Sequence, residues 1–164
     1  MKHKKLYLYT VDSNYVNYLA SFTPHLYKEK EDKRSRKYIG IVLLVNGFSY
    51  FAPLTSYKKK HSRFATSIDF IKIGKVAAIN INKMFPVPKG LYREVVIIEE
   101  KDSFYRQLLY REQRFIQNDA ELICNNAKVI YDKVLQNPES KLAKRSNDFK
   151  LLEKACEKYI GDLH

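Results

Sequence analysis

The stretch Thr55-Ser56-Tyr57-Lys58-Lys59-Lys60-His61 places two hydroxyls, three ammonium groups and an imidazole side by side. Hydroxyls hold phosphate oxygens. An ammonium group stabilises developing negative charge, or exchanges a proton when like-charged neighbours depress its pKa. Lys58, Lys59 and Lys60 are close enough in sequence to depress one another. Cleavage of a ribose–phosphate linkage without metal asks for such parts. One group draws the proton from the 2′-hydroxyl, cations steady the phosphorane dianion, and an acid protonates the departing 5′-oxygen. From composition alone, a solvated basic loop that only grips nucleic acid accounts for the same residues. Both readings stand at this point.

Competing site chemistries fare worse. A two-metal nuclease needs converging carboxylates, and residues 1–90 contain only Asp12, Glu29, Glu31, Asp32 and Asp69. No Cys/His spacing suits zinc. The five glycines form neither a Walker loop nor a dinucleotide fingerprint. Ser56 lies between Thr55 and Tyr57 rather than in a Gly-x-Ser-x-Gly elbow. His3 and His164 are terminal, and His25 reads as a structural loop residue. No metal and no cofactor is expected.

The charge is divided unevenly along the chain. Residues 1–90 hold 17 Lys/Arg against 5 Asp/Glu, whereas residues 91–164 hold 13 of each, so the first part carries the whole +12. A field of that size concentrated around the hydroxyl–lysine cluster points to a polyanionic partner, most economically a nucleic acid. At 164 residues with 45% hydrophobic content, the chain has the material for one core and one domain. No apolar run is long enough to span a membrane, and the run from Leu6 to Thr10 is too short for a signal-peptide core. Cys124 and Cys156 read as reduced, buried apolar residues of a cytoplasmic protein.

The elements that must position the cluster follow from periodicity. Residues 6–9 read as a short strand, followed by a helix capped by Asp12 or Ser13 with Tyr15, Val16 and Leu19 on one face. Residues 28–37 are almost all charged and predict an exposed loop. Tyr38–Val45 and residues 48–54 flank Asn46-Gly47 as a β-hairpin, with Pro53 expected to end the returning strand or lie at an edge. Residues 68–73 and 76–81 flank Gly74-Lys75 as a second hairpin. Residues 84–88 read as an extended connector and 95–98 as a further strand. From Asp102 the period becomes helical. Phe104, Leu108, Leu109, Phe115 and Ile116 mark one helix, and Leu122, Ile123, Val129, Ile130 and Val134 continue it or form a second. Asn137-Pro138 stops that region, and a last helix begins near Asn147-Asp148. The pattern is α+β: a mostly antiparallel sheet covered by C-terminal helices.

Several stretches together resemble the ToxN/AbiQ family, endoribonuclease toxins of type III toxin–antitoxin systems. They are residues 9–19 (Tyr-Thr-Val-Asp-Ser-Asn-Tyr-Val-Asn-Tyr-Leu), Tyr38-Ile39-Gly40-Ile41-Val42-Leu43, and Phe51-Ala52-Pro53-Leu54-Thr55-Ser56 with Lys58 and His61. Ile79-Asn80-Ile81-Asn82-Lys83-Met84 with Pro86-Val87-Pro88 follows, and Asp148-Phe149 with Leu152-Glu153 completes the order. The resemblance implies a single domain with a twisted antiparallel sheet similar to the Kid/MazF toxins. It implies a metal-independent, sequence-selective endoribonuclease that leaves a 2′,3′-cyclic phosphate and a 5′-hydroxyl. It also implies a small repeated RNA antitoxin, processed by the toxin into pseudoknots that fill its groove, and hence a protein–RNA hetero-oligomer. Cellular or phage RNA would be the substrate.

Carried over residue by residue, the family's Thr-Ser-x-Lys site falls on Thr55, Ser56 and Lys58, and an N-terminal tyrosine position falls on Tyr15. A basic position before the first long strand, Lys in some relatives, falls on Arg36 with Lys37 adjacent. Arg clamps phosphate bidentately but does not serve as a base. The family's frequent Pro before Lys58 is Tyr57 here, a ring that offers stacking. Ser56 and Thr55 are expected to hold the scissile phosphate, with Ser56 polarising the 2′-hydroxyl. Lys58 is expected to stabilise the phosphorane or donate the proton, Arg36 to neutralise a non-bridging oxygen, and His61 to orient or protonate. Lys33, Arg34, Lys37, Tyr57, Lys59, Lys60, Arg63 and Tyr15 are expected to contact RNA. The structural alternatives are strand-end capping for Thr55 and Ser56 and helix-face packing for Tyr15. A non-catalytic RNA-binding module or a ribonucleoprotein subunit is the rival function.

Overall fold

The computed structural model describes residues 4–29, 35–56 and 67–163, the side chain of Ser56 excepted. Seven antiparallel strands form the sheet: β1 (Tyr7–Val11), β2 (Tyr38–Val45), β3 (Phe48–Ser56), β4 (Phe70–Ile73), β5 (Ala77–Asn80), β6 (Phe85–Pro86) and β7 (Tyr92–Glu94). Their order is β4-β5-β3-β2-β1-β7, with β6 alongside β3. The α+β expectation holds.

The β2–β3 turn is a type I′ hairpin in its backbone, with Asn46 at φ 51 and Gly47 at φ 80, a conformation that suits Asn-Gly. In β2, Gly40 lies where any Cβ would meet the Phe51 ring at 2.2 Å. The position therefore admits only glycine. Alternation along β3 sends Tyr50, Ala52 and Leu54 to one face of the sheet and Phe51 to the other.

Among the described residues, five helices cover those faces: α1 (Ser13–Ala20), α2 (Ser103–Asn118), α3 (Ala120–Gln136), α4 (Lys141–Lys144) and α5 (Phe149–Asp162). Leu109 and Ile116 of α2, with Ile123 and Ile130 of α3, pack on Leu8, Ile39, Ala52 and Ile79. On the opposite face, Tyr15, Val16 and Leu19 of α1 and Leu152 and Cys156 of α5 pack on Tyr38, Phe51 and Phe85. Asp12, Asp102 and Asp148 cap α1, α2 and α5, each carboxylate accepting a backbone N–H of the first turn. Cys124 and Cys156 are buried free thiols.

Two of the buried carboxylates are held by donors from within the fold. Glu153 of α5, 5% exposed, accepts from the Tyr50 hydroxyl at 2.6 Å, the Tyr131 hydroxyl at 2.7 Å and Lys150 Nζ at 3.3 Å. Asp69, also 5% exposed, accepts both arms of the Arg145 guanidinium at 2.7 and 3.0 Å. Burial alone would raise the Asp69 carboxyl, but the bonds from Arg145 and Ser67 hold it below the usual value.

Three expectations are corrected. Pro53 neither ends its strand nor lies at an edge, because β3 continues to Ser56 inside the sheet. The reason is a change of partner. On the side away from β2, Tyr50 and Phe51 pair with β6, and residues 54–56 pair with β5. The Leu54 N–H points to β2, donating to Lys37 O at 3.0 Å, so the nitrogen of Pro53 faces the gap between β5 and β6, where the ladder needs no donor. The strand expected at residues 95–98 lies instead at Tyr92–Glu94; Val95 N–H makes a last bond to Leu8 O, and the chain then turns into a 3-10 helix at Ile97–Glu99. Residues 85–86 of the expected connector form β6.

Candidate RNA interface

The end of β3 and the gap beside it form a small pocket of about 10 Å³ bordered by Thr55, Asn80, Arg36, Lys83, Tyr27 and His25. Each side chain arrives from a different element. Thr55 continues the row that begins with Phe51 and Pro53, facing the α1 side. Asn80, the last residue of β5, donates its amide to Thr55 Oγ1 at 2.9 Å. That bond uses an acceptor site of the hydroxyl, and among the described residues no acceptor takes its proton, which can then be donated to an anionic oxygen.

Arg36 precedes β2, and its guanidinium carbon lies 5.4 Å from the centre of the Tyr27 ring. Lys83 ends the 3-10 turn Ile81–Lys83 that connects β5 to β6, and its Nζ lies 4.8 Å from the same ring centre. The two cations share one aromatic platform. Among the described residues, no carboxylate forms an ion pair with either. The acid nearest Arg36 is engaged by the backbone instead. Glu29 Oε1 accepts the Arg36 backbone N–H at 3.2 Å, and Glu29 N–H donates to Asn17 at 2.9 Å. Burial raises the Glu29 carboxyl, and Arg36 pulls against that rise. These bonds anchor both ends of the segment whose run of charges gave no sign of an anchor. His25 borders the pocket, but its Nε2 is 3.1 Å from Lys144 O and its backbone N–H donates to Thr23, consistent with the expected structural role.

Arg36 and Lys37 diverge. Lys37 Nζ lies 5.8 Å from the Tyr105 ring centre of α2 and donates to Ser35 O. The two basic residues therefore serve opposite faces of the sheet rather than one rim. Near Lys37, Glu112 of α2 is only 6% exposed. Burial pushes its carboxyl up to about 7, with Lys37 opposing the rise.

The Tyr15 expectation is overturned. Its ring is fully buried against Tyr159, and its hydroxyl donates to Pro86 O. Helix packing takes this side chain, because Tyr15 falls on the α1 face with Val16 and Leu19, and no surface remains for RNA. Thr55 and Ser56 are not loop residues past a strand end but the last two residues of β3. Lys33, Arg34, Tyr57, Lys58, Lys59, Lys60, His61 and Arg63 lie outside the described residues. Two described residues of the pocket, Arg36 and Thr55, stand close to those residues in sequence.

Sequence reasoning missed Tyr27, Asn80 and Lys83 as pocket residues. Asn80 and Asn82 interrupt an apolar run, which was a visible signal that polar groups are needed there. Asn82 Nδ2 donates to Arg145 O at 2.7 Å, and Asn82 O accepts the Asn147 backbone N–H at 3.0 Å.

The family model described as "Toxin ToxN, type III toxin-antitoxin system" matches residues 7–157. Endoribonuclease ToxN of Bacillus thuringiensis subsp. kurstaki is 27% identical, across 92% of this chain and 82% of that protein. Endoribonuclease AbiQ of Lactococcus lactis subsp. lactis is 29% identical, across 94% of this chain and 89% of that protein. The fold matches a solved toxin described as selectively inhibited by a non-coding RNA pseudoknot, with TM-score 0.85 and 24% identity over 96% of this chain and 99% of that one. It also matches AbiQ, described as a lactococcal anti-phage endoribonuclease, with TM-score 0.80 and 27% identity over 96% and 99% of the two chains. The match across nearly the whole chain places it in a family: this chain belongs to the ToxN toxins of type III toxin–antitoxin systems.

Proposed function

We propose that this chain is a metal-independent, sequence-selective endoribonuclease toxin that leaves a 2′,3′-cyclic phosphate and a 5′-hydroxyl. The observation that carries the reading is the meeting of Arg36 and the Thr55 hydroxyl at one pocket, with no carboxylate ion-paired to Arg36 among the described residues. The cation and hydroxyl at the mouth of such a pocket suit a phosphodiester laid across it, and its dianionic phosphorane more. In this reading Thr55 and Arg36 hold non-bridging oxygens. Ser56, the next residue of β3, polarises the 2′-hydroxyl. Lys58 steadies the phosphorane or protonates the leaving oxygen, and His61 assists. Arg36 supplies charge and hydrogen bonds and takes no part in proton transfer.

The partner that restrains the toxin is a small repeated RNA, folded as pseudoknots and processed by the toxin itself, in a protein–RNA hetero-oligomer. The substrate is cellular or phage RNA, and the role is phage defence or plasmid maintenance. No helix of the described residues is long and apolar enough to cross a membrane, and the cytoplasm is the compartment this reading requires. Incubation of the purified protein with RNA in EDTA tests it. Fragments ending in cyclic phosphate are expected, and intact RNA at high protein concentration would overturn the reading in favour of a binding module.

A further inference from the structure

We propose that Lys83 is a second phosphate-binding cation of the RNA site, presented with Arg36 on the Tyr27 ring, and that buried Asn147 is the residue that positions it. This inference rests on the endoribonuclease reading and names a binding residue which that reading does not require.

Two like charges on one ring repel each other, and among the described residues no carboxylate is ion-paired with either. The Tyr27 ring face offsets part of that repulsion. Its hydroxyl lies 3.4 Å from Lys83 Nζ, which limits how far the ammonium swings. Tyr27 is 56% exposed, so the platform is open to a ligand. A phosphodiester placed there would receive two cations and the Thr55 hydroxyl at once.

The backbone beneath Lys83 is held more tightly than a surface lysine needs. Asn147 is fully buried. Its Nδ2 donates to Lys83 O at 2.9 Å and to Met84 O at 3.1 Å. Its backbone N–H donates to Asn82 O at 3.0 Å, and its Oδ1 accepts from Thr23 Oγ1 at 2.8 Å. One amide therefore fastens the 3-10 turn to the loop before α5 and to the segment that leads to Tyr27. Every polar group of the Asn147 side chain is used, as preorganisation of a charged contact requires.

The test is equilibrium binding of a short 2′-O-methylated RNA, which has no 2′-hydroxyl to attack, across a salt series. Each phosphate contact adds about 0.7 to the slope of log K against log salt for a single strand. Lys83→Met is expected to flatten the slope by about 0.7 and weaken binding roughly tenfold at low salt. Lys83→Arg is expected to restore the slope. Asn147→Ala is expected to flatten it by a similar amount, and Lys83→Met with Asn147→Ala no further than either alone. Where Asn147→Ala does not fold, Thr23→Val removes the partner of Oδ1 and is expected to flatten the slope partially. A Lys83→Met slope equal to that of the parent protein, in a protein that does cleave RNA, overturns this inference alone. A parent protein that binds with a Lys83-dependent slope but leaves RNA intact in EDTA overturns the nuclease reading instead.

Discussion

The Glu153 cluster and the Tyr27 pocket handle charge in opposite ways. In the first, a buried carboxylate receives two tyrosine hydroxyls and an ammonium from within the chain. In the second, two cations meet at one ring and no carboxylate pairs with them among the described residues. Burial forces the first arrangement, because an unpaired ion removed from water is costly. Exposure permits the second, and an incoming phosphate can supply the counter-charge. Charge closed within the fold serves stability, and charge left open serves the partner.

If that division is right, substitutions on the two sides separate cleanly. Ser56→Ala is expected to lower cleavage by about 100-fold or more while leaving Tm and RNA affinity in place. Full cleavage by that variant would remove Ser56 from the site. Glu153→Ala is expected to cost about 3 kcal/mol in denaturant unfolding, by leaving the Tyr50 and Tyr131 hydroxyls without their acceptor. Cleavage per folded molecule should be unchanged. Loss of specific activity at unchanged stability would break the contrast between the two regions.

Glu112 tests the intermediate case, a buried carboxylate with Lys37 opposing the cost of its burial. Its folded pKa of about 7 exceeds the ordinary 4.5, so between those values the folded protein holds a proton that the unfolded chain has released. Stability therefore falls as pH rises through that window and levels off above it. Glu112→Gln is expected to add about 2 kcal/mol near pH 8 and almost nothing near pH 4, read as Tm against pH. The smallest effect belongs to Tyr15→Phe, which loses the bond to Pro86 O. It is expected to cost about 1 kcal/mol, with RNA binding intact. A clear loss of RNA affinity would return Tyr15 to the interface.

The fold was legible wherever local chemistry and tertiary demand agree. Asn46-Gly47 announces its turn, Asp12, Asp102 and Asp148 announce their helices, and the neutral second half announces the layers that cover the sheet. Pro53 misled because the rule against proline in an interior strand assumes one continuous neighbour, and β3 has two. Tyr15 misled because a tyrosine near a family motif offers both a ring to bury and a hydroxyl to expose, and only packing decides between them. In the candidate site, Thr55 and Arg36 could be named from sequence. Lys83 and Tyr27 could not, because their meeting depends on where a single 3-10 turn sits and on a bond to residue 147, far beyond any local pattern.

That last bond sets an order of events during synthesis. Arg36, Thr55 and Lys83 leave the ribosome early, yet the turn beneath Lys83 is not locked until Asn147 and the helix behind it have followed. A half-made chain displays the charges without the scaffold that aims them. The pocket is therefore completed only as Asn147 and the last helix fold into place behind it.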